Sequence, residues 1–266
     1  MADAERTVRT ISTDEELFAF LQTTLTAFLV DRAVEAGHAD WVRERFDLAR
    51  TWAAFDDGVL CGTERTFPSG LRLPGLAEVP VSCLTNVTVL PTHTRRGHLN
   101  RLMRTQLEAA VDAGEVASLL VAAEWPIYGR YGYGPATEFV QWEVDTRFAT
   151  VLGPPVGQSL LVDGAAFDPI AAEVLARQQE RTSGAIGRPD WLRRATTGLE
   201  HRPWRSADKT TAWVVHRDAD GRPDGVVTYS AKDHWDGMRP STSACRSTEV
   251  GEPFHVTVVT RSTSTR

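Results

Sequence analysis

A chain of 266 residues, 42% hydrophobic and 24% charged, has the balance of a folded globular protein and is long enough for one large domain or two ordinary ones. A formal net charge of −6 argues against a non-specific nucleic-acid binder, no apolar run reaches the length of a bilayer span, and residues 1–10 lack the apolar stretch of a secretory leader. Cys61, Cys83 and Cys245 are few and far apart, which offers no CxxC metal or redox site and fits a reducing, cytoplasmic setting.

In chain order, residues 8–11 read as a short extended entry. Thr13-Asp14-Glu15-Glu16 then sets a cap followed by acids, the signature of a helix start. Leu17, Leu21, Leu25 and Phe28 recur at helical spacing and predict one buried face. A polar, helix-prone stretch follows through Trp41 and Phe46. Residues 50–55 read as a strand, Asp56-Asp57-Gly58 as a hairpin turn and residues 59–66 as the antiparallel return. Pro68-Ser69-Gly70 and Pro74-Gly75 are expected to break the chain before a long strand over 79–89, ended by Pro91. After the basic loop Thr94-Arg95-Arg96-Gly97 comes an amphipathic helix carrying Leu99, Leu102, Met103, Leu107, Ala110 and Val111, stopped at Ala113-Gly114. Residues 116–122 form a nearly continuous apolar run, the pattern of a strand buried on both faces.

A second unit is expected from about residue 150, after the break at Gly153-Pro154-Pro155. Asp168-Pro169 reads as the start of a helix carrying Ile170, Val174 and Leu175, and residues 211–216 and 226–229 as strands. Of the final 26 residues eleven are Ser or Thr, and no helical period appears, so 241–266 reads as an irregular tail. These readings divide the chain into domains over 1–148 and 149–240 and the tail.

Two stretches carry chemistry. In the first, Val87-Thr88-Val89 leads into Arg95-Arg96-Gly97-His98-Leu99-Asn100 and a helix. Backbone amides at a glycine turn and a helix N-terminus cradle a pyrophosphate, and two arginines strengthen the grip; a basic loop joining a strand to a helix has the same residues. In the second, Tyr128-Gly129-Arg130-Tyr131-Gly132-Tyr133-Gly134-Pro135 interleaves tyrosines with glycines. Glycine lets a ligand approach the backbone, and a tyrosine hydroxyl can protonate a leaving thiolate; taken alone, the stretch also suits a corner with tyrosines as struts. Glu124 can act as a base through water, although an acid at a strand end is commonly solvated. His93 and His98 flank the basic loop with no further ligands for a metal.

Together these residues resemble a known family. Val87-Thr88-Val89-Leu90-Pro91-Thr92-His93-Thr94-Arg95-Arg96-Gly97 is similar to the acetyl-CoA loop of GNAT N-acetyltransferases. With Ile127-Tyr128-Gly129-Arg130-Tyr131-Gly132-Tyr133-Gly134-Pro135-Ala136-Thr137 the stretch looks like the Eis branch of that family. The resemblance implies an α/β (α+β) fold with two GNAT domains in tandem, the second partial, each a mixed, mostly antiparallel sheet flanked by helices. It implies acetyl-CoA as co-substrate, no metal, no membrane or nucleic-acid partner, a homo-oligomer, and a primary amine acceptor, aminoglycoside antibiotics above all. By position, Val87, Thr88 and Val89 would present backbone groups to the pantetheine arm. Arg95, Arg96, Gly97, His98, Leu99 and Asn100 would hold the pyrophosphate. Ala123 and Glu124 would touch the cofactor near its reactive end, and Tyr128 would be the general acid.

The sequence departs from the pattern at Thr94, where the general family has Arg or Gln, and at Leu99, Ala123 and Trp125. Family members continue into a third, sterol-carrier-like domain whose terminal carboxylate serves as base. The tail from about Ser241 is therefore expected to be truncated or frame-shifted sequence. The runner-up to an N-acetyltransferase is a non-catalytic acyl-CoA-binding or regulatory protein.

Overall fold

Strand β2 (Thr51–Asp56) is buried along its whole length because helices cover both faces of the sheet around it. The computed structural model describes residues 5–30, 33–136, 156–200, 211–230, 235–236 and 239–240. One unit holds the described residues up to Gly134, another those from Pro135 onward.

In the first unit, β1 (Arg6–Thr10), β2, β3 (Val59–Arg72), β4 (Glu78–Val89) and β5 (Ala117–Leu120) form one sheet in sequence order. All neighbours are antiparallel except β4 and β5, which run parallel and are joined through helix α3 (His98–Asp112). Side chains alternate across a strand. Ala53 and Phe55 face the core made with α1 (Asp14–Ala27) and α2 (Ala36–Arg43), while Trp52 and Ala54 pack on Leu102 of α3. Gly62 allows this close approach. A Cβ there would lie 3.3 Å from Leu102 Cδ1 and 3.0 Å from the Thr88 carbonyl.

Thr13 caps α1, its hydroxyl accepting from the Glu16 amide at 3.2 Å. Leu17, Phe20, Leu21, Thr24 and Leu25 are its inward stripe. Phe28 does not join it: it is the C-cap, where the chain leaves the helix, and is 44% exposed. In α3 the stripe is His98, Leu102, Met103, Gln106 and Ala110. Val111 falls beside it and is exposed. Gln106 takes an apolar slot because its amide donates to the Tyr133 hydroxyl at 3.0 Å.

Two strand expectations need correction. Pro68, Ser69 and Gly70 do not break the chain but lie inside β3, opposite Ser82, Val81 and Pro80. Beyond Arg65, among the described residues, only β4 pairs with β3, and a proline without an N–H is tolerated on such a one-sided stretch. Strand β5 is shorter than the apolar run and half-buried, with Val116 and Val121 exposed, because it pairs with β4 alone among the described residues.

The second unit contains an antiparallel sheet of β6 (Gln158–Val162), β7 (Thr211–Arg217) and β8 (Pro223–Ser230). Helix α4 (Gly164–Arg181) packs on it through Phe167, Ala171 and Val174. Asp163, not Asp168, is its N-cap, accepting from the Ala166 amide at 2.8 Å, so Pro169 lies within the helix. Asp168 instead binds Arg193 and Arg194 on and beside α5 (Asp190–Thr196). Short β9 (Trp235–Asp236) and β10 (Arg239–Pro240) pair with each other. The expected boundary near residue 150 and the tail over 241–266 lie outside the described residues.

Phe20 is fully buried in the α1 core. Phe20→Ala is expected to lower the unfolding free energy by about 3–5 kcal/mol, read as a lower urea midpoint with an unchanged slope.

Candidate functional site

The site starts from an irregularity in pairing. Thr63 of β3 stands opposite Thr88 of β4, and Arg65 opposite Thr85. Both Asn86 and Val87 therefore face the single residue Glu64, a β-bulge, and Asn86 takes φ 56° to make it. Thr63 Oγ1 donates to the Asn86 carbonyl at 2.8 Å, and Arg65 Nε donates to Asn86 Oδ1 at 3.3 Å, so the kink is held from β3. On the opposite edge β4 pairs with β5 only from Val81 with Ala117 to Leu84 with Leu120. β5 ends there, at Leu120. Residues 85–89 have no strand on this edge among the described residues, leaving a row of backbone donors and acceptors for an extended ligand.

The strand ends at the basic loop. Arg95 has φ 62° and Gly97 φ 85°, with Arg96 of ordinary handedness between them. Backbone that alternates in this way turns successive N–H groups inward to form an anion nest. Gly97 is the N-cap of α3 and brings no capping side chain. The amides of His98, Leu99 and Asn100 open the helix without intrahelical acceptors, at the positive end of its dipole. Arg95 is exposed. Arg96 is turned away from the nest: it donates to Asp56 Oδ2 at 2.9 Å and to the Thr92 carbonyl at 3.0 Å.

Asp56 is the anchor of this loop. It takes Arg96, Arg6 at 3.5 Å, and His98, whose Nε2 donates at 3.2 Å because a carboxylate can only accept. Arg96 foremost holds the Asp56 carboxyl below its ordinary range, and burial pushes the His98 imidazole down. Both shifts favour the pair of carboxylate and neutral imidazole.

The tyrosine stretch folds over α3. Tyr128 is buried with Leu84 and Met103, against Val87, Leu99, Leu120, Tyr131 and Tyr133. Its ring meets that of Tyr133 edge-on, centroids 5.9 Å apart. The Tyr133 hydroxyl donates to Ser118 Oγ at 2.5 Å, and the Tyr131 hydroxyl binds Asn100 Oδ1. Tyr131 and Tyr133 are thus struts. Burial first, then the charge of Glu64, pushes the Tyr128 phenol up to about 12. It stays protonated at neutral pH and is a donor, not a base.

The structure thus gathers Val87, Leu99 and Tyr128 in one cluster, and Arg96 and His98 on Asp56. Thr88 is buried and shares a 2.5 Å hydrogen bond with Thr63, whereas Val89 packs on the α3 side. Ala123 and Glu124 are exposed beyond β5; the Glu124 charge reaches the Tyr128 phenol. Cys61 and Cys83 are buried thiols pushed up to about 11 by burial, so neither is a ready nucleophile. Asp56, Asn86 and Glu64 escape the sequence reading. The legible signal was the polar run Thr63-Glu64-Arg65-Thr66 inside a strand, where a charge needs a reason to be buried.

This geometry belongs to a defined class of protein. The acetyltransferase (GNAT) domain family matches residues 7–136. The chain is a member of the GNAT family of N-acetyltransferases, with the mixed, mostly antiparallel α/β fold of that family. It is 39% identical over 249 residues to an uncharacterized N-acetyltransferase of Streptomyces griseus, spanning 89% of this chain and 58% of that protein. The N-acetyltransferase Eis of Mycobacterium tuberculosis is 43% identical over 79 residues, 30% of this chain and 20% of that protein. The crystal structure of Eis1 from Mycobacterium abscessus superposes with a TM-score of 0.70 at 32% identity, covering 85% of this chain and 54% of that one. The chain spans about half the length of the curated relatives it matches.

The lowered Asp56 and His98 values fix a sign. Their stabilising contribution is present above the ordinary histidine and carboxylate values and fades as pH falls through and below them. The melting temperature is expected to fall from about pH 7 downward, first through His98 and then, below about pH 4, through Asp56; because Asp56 holds the His98 value up, Asp56→Asn is expected to steepen the fall above about pH 4 and flatten it below, measured by circular dichroism at several pH values.

Proposed function

We propose that this protein transfers the acetyl group of acetyl-CoA to a primary amine by direct attack, with Tyr128 as the general acid. One observation carries the reading: the unpaired edge of β4 after its bulge runs from the anion nest at Gly97 to the buried phenol of Tyr128. A molecule with an anionic head, an extended amide-bearing arm and a thioester tip fits that track in order.

In this reading the nest and the amides of His98, Leu99 and Asn100 take the diphosphate, with Arg95 adding charge. Arg96 acts through Asp56 to hold the loop in shape. Val87, Thr88 and Val89 present backbone groups to the pantetheine arm, and an N–H at the bulge polarises the thioester carbonyl. Holding both reactants in one cleft supplies proximity. Tyr128 gives its proton to the departing thiolate. The raised thiols of Cys61 and Cys83 favour direct transfer over an acyl-cysteine intermediate. Ala123 and Glu124 border the reactive end.

The likeness to Eis supports assignment to that branch and makes aminoglycosides the first amines to try. The superposition over 85% of the chain, with a sheet backed by α4 after Pro135, supports a second, partial GNAT-like domain.

Thiol release from acetyl-CoA, followed with a panel of amines, tests the proposal. Release is expected to depend on the amine, and Tyr128→Phe is expected to slow it by about 100-fold or more. Binding of CoA with no amine-dependent release would instead establish an acyl-CoA-binding protein. Gly97→Val forces a side chain into φ 85° and is expected to weaken CoA binding by about tenfold in calorimetry, roughly 1.4 kcal/mol.

A further inference from the structure

Glu64 lies opposite the bulge, is 0% exposed, and has no hydrogen-bond partner on either carboxyl oxygen among the described residues. A carboxylate so placed is strongly disfavoured, and burial pushes the group well above its ordinary value. An acid retained in such surroundings calls for a role that the mechanism above does not give it.

Its position follows from the strand. Glu64 stands directly across from Trp52, which packs on Leu102 of α3. Two residues before it, Gly62 also faces Leu102. Two residues after it, Thr66 stands across from Leu84, which packs with Met103 and Tyr128. Side chains at alternate positions share a face, so Glu64 projects into the layer between the sheet, α3 and the tyrosine stretch. The titratable groups acting there are Tyr128, Tyr131, Tyr133 and Glu124. Among charges acting on the Tyr128 phenol, that of Glu64 is the largest, ahead of Glu124.

We propose, resting on Tyr128 as the acid, that Glu64 is the proton store behind it: the Glu64 carboxyl returns a proton to the phenolate formed when Tyr128 protonates the CoA thiolate. As the amine nitrogen bonds to the acetyl carbon, the C–S bond breaks and its electron pair stays on sulfur. The Tyr128 O–H bond breaks and an S–H bond forms. The Glu64 O–H bond then breaks as that of Tyr128 re-forms, the proton passing through one bridging water because no direct hydrogen bond joins the two groups, leaving a carboxylate. The carboxylate regains a proton from water once CoA departs, and the proton shed by the new amide nitrogen goes to solvent. The transfer runs downhill because the phenol it serves is itself pushed up to about 12 by burial. Glu64 acts through Tyr128 without touching substrate, so it is a positioning residue.

Glu64→Gln keeps the shape and removes the proton. The first readout needs no activity: ultraviolet titration of the phenols in the full chain, which has four tyrosines, with Tyr128→Phe identifying the signal. Without the carboxylate beside it, Tyr128 is expected to ionise at lower pH; an unmoved titration overturns the proposal. Should Glu64→Gln not fold, Glu64→Asp draws the charge back by one methylene and is expected to shift Tyr128 in the same direction by less. The second readout is acetyl transfer. Glu64→Gln is expected to lower kcat at least tenfold with the KM for acetyl-CoA little changed, Glu64→Asp to recover part, and the double variant to be no slower than Tyr128→Phe. Wild-type speed in Glu64→Gln beside a slow Tyr128→Phe overturns this role alone, as do effects that multiply in the double variant. Wild-type speed in Tyr128→Phe overturns the reading of the acid and this proposal with it.

Discussion

The kink at Asn86 is the constraint on which the first unit's architecture turns. β4 stays paired with β3 to its end at Val89, but it does so past a bulge. With one extra residue opposite Glu64, the strand bends and twists locally, and parallel pairing with β5 stops at Leu84. The bulge sets Asn86 and Val87 opposite Glu64, and Val87 packs against Tyr128 along the edge that lies beyond the end of β5. Thr63 and Arg65 hold the kink by hydrogen bonds, so it is part of the packed sheet and not a loose end.

A second constraint works from the other side of the loop. Asp56 closes the β2–β3 hairpin, yet its carboxylate reaches forty residues along the chain to Arg96 and beyond to His98. The loop is thereby tied to the most buried strand of the sheet, and the nest amides are held in position before any anion arrives. A group organised in advance loses less freedom on binding, which is the physical advantage of anchoring it to a core strand.

Most of the fold was legible in the sequence, because its signals are local. Thr13 and the acids after it mark the start of α1, and Asp57-Gly58 marks the hairpin. The failures are where a partner far along the chain decides the outcome. Pro68 reads as a breaker until β4 is known to pair with it on one side only. Gln106, a polar residue on the inward stripe of α3, is buried only because Tyr133 satisfies it. In the site, the amide cradle was visible as Arg95-Arg96-Gly97, since a glycine turn before a helix is a matter of a few residues. The pairing of Arg96 with Asp56, the bulge at Asn86 and the burial of Glu64 depend on partners far along the chain, which no single stretch of sequence contains.

The pairing of Arg96 with Asp56 has a consequence for how the nest meets its anion. Asp56 partly neutralises the Arg96 guanidinium, which is still 44% exposed, and exposed Arg95 and Arg101, the latter with Nη1 3.5 Å from the Arg96 carbonyl, add charge around the fixed peptide dipoles. Dipoles act at contact and are little affected by dissolved ions, whereas exposed side-chain charges are screened within roughly 8 Å at physiological ionic strength. Salt therefore weakens the long-range pull of these exposed arginines more than the seating of an anion on the amides, which select by the shape of the phosphates.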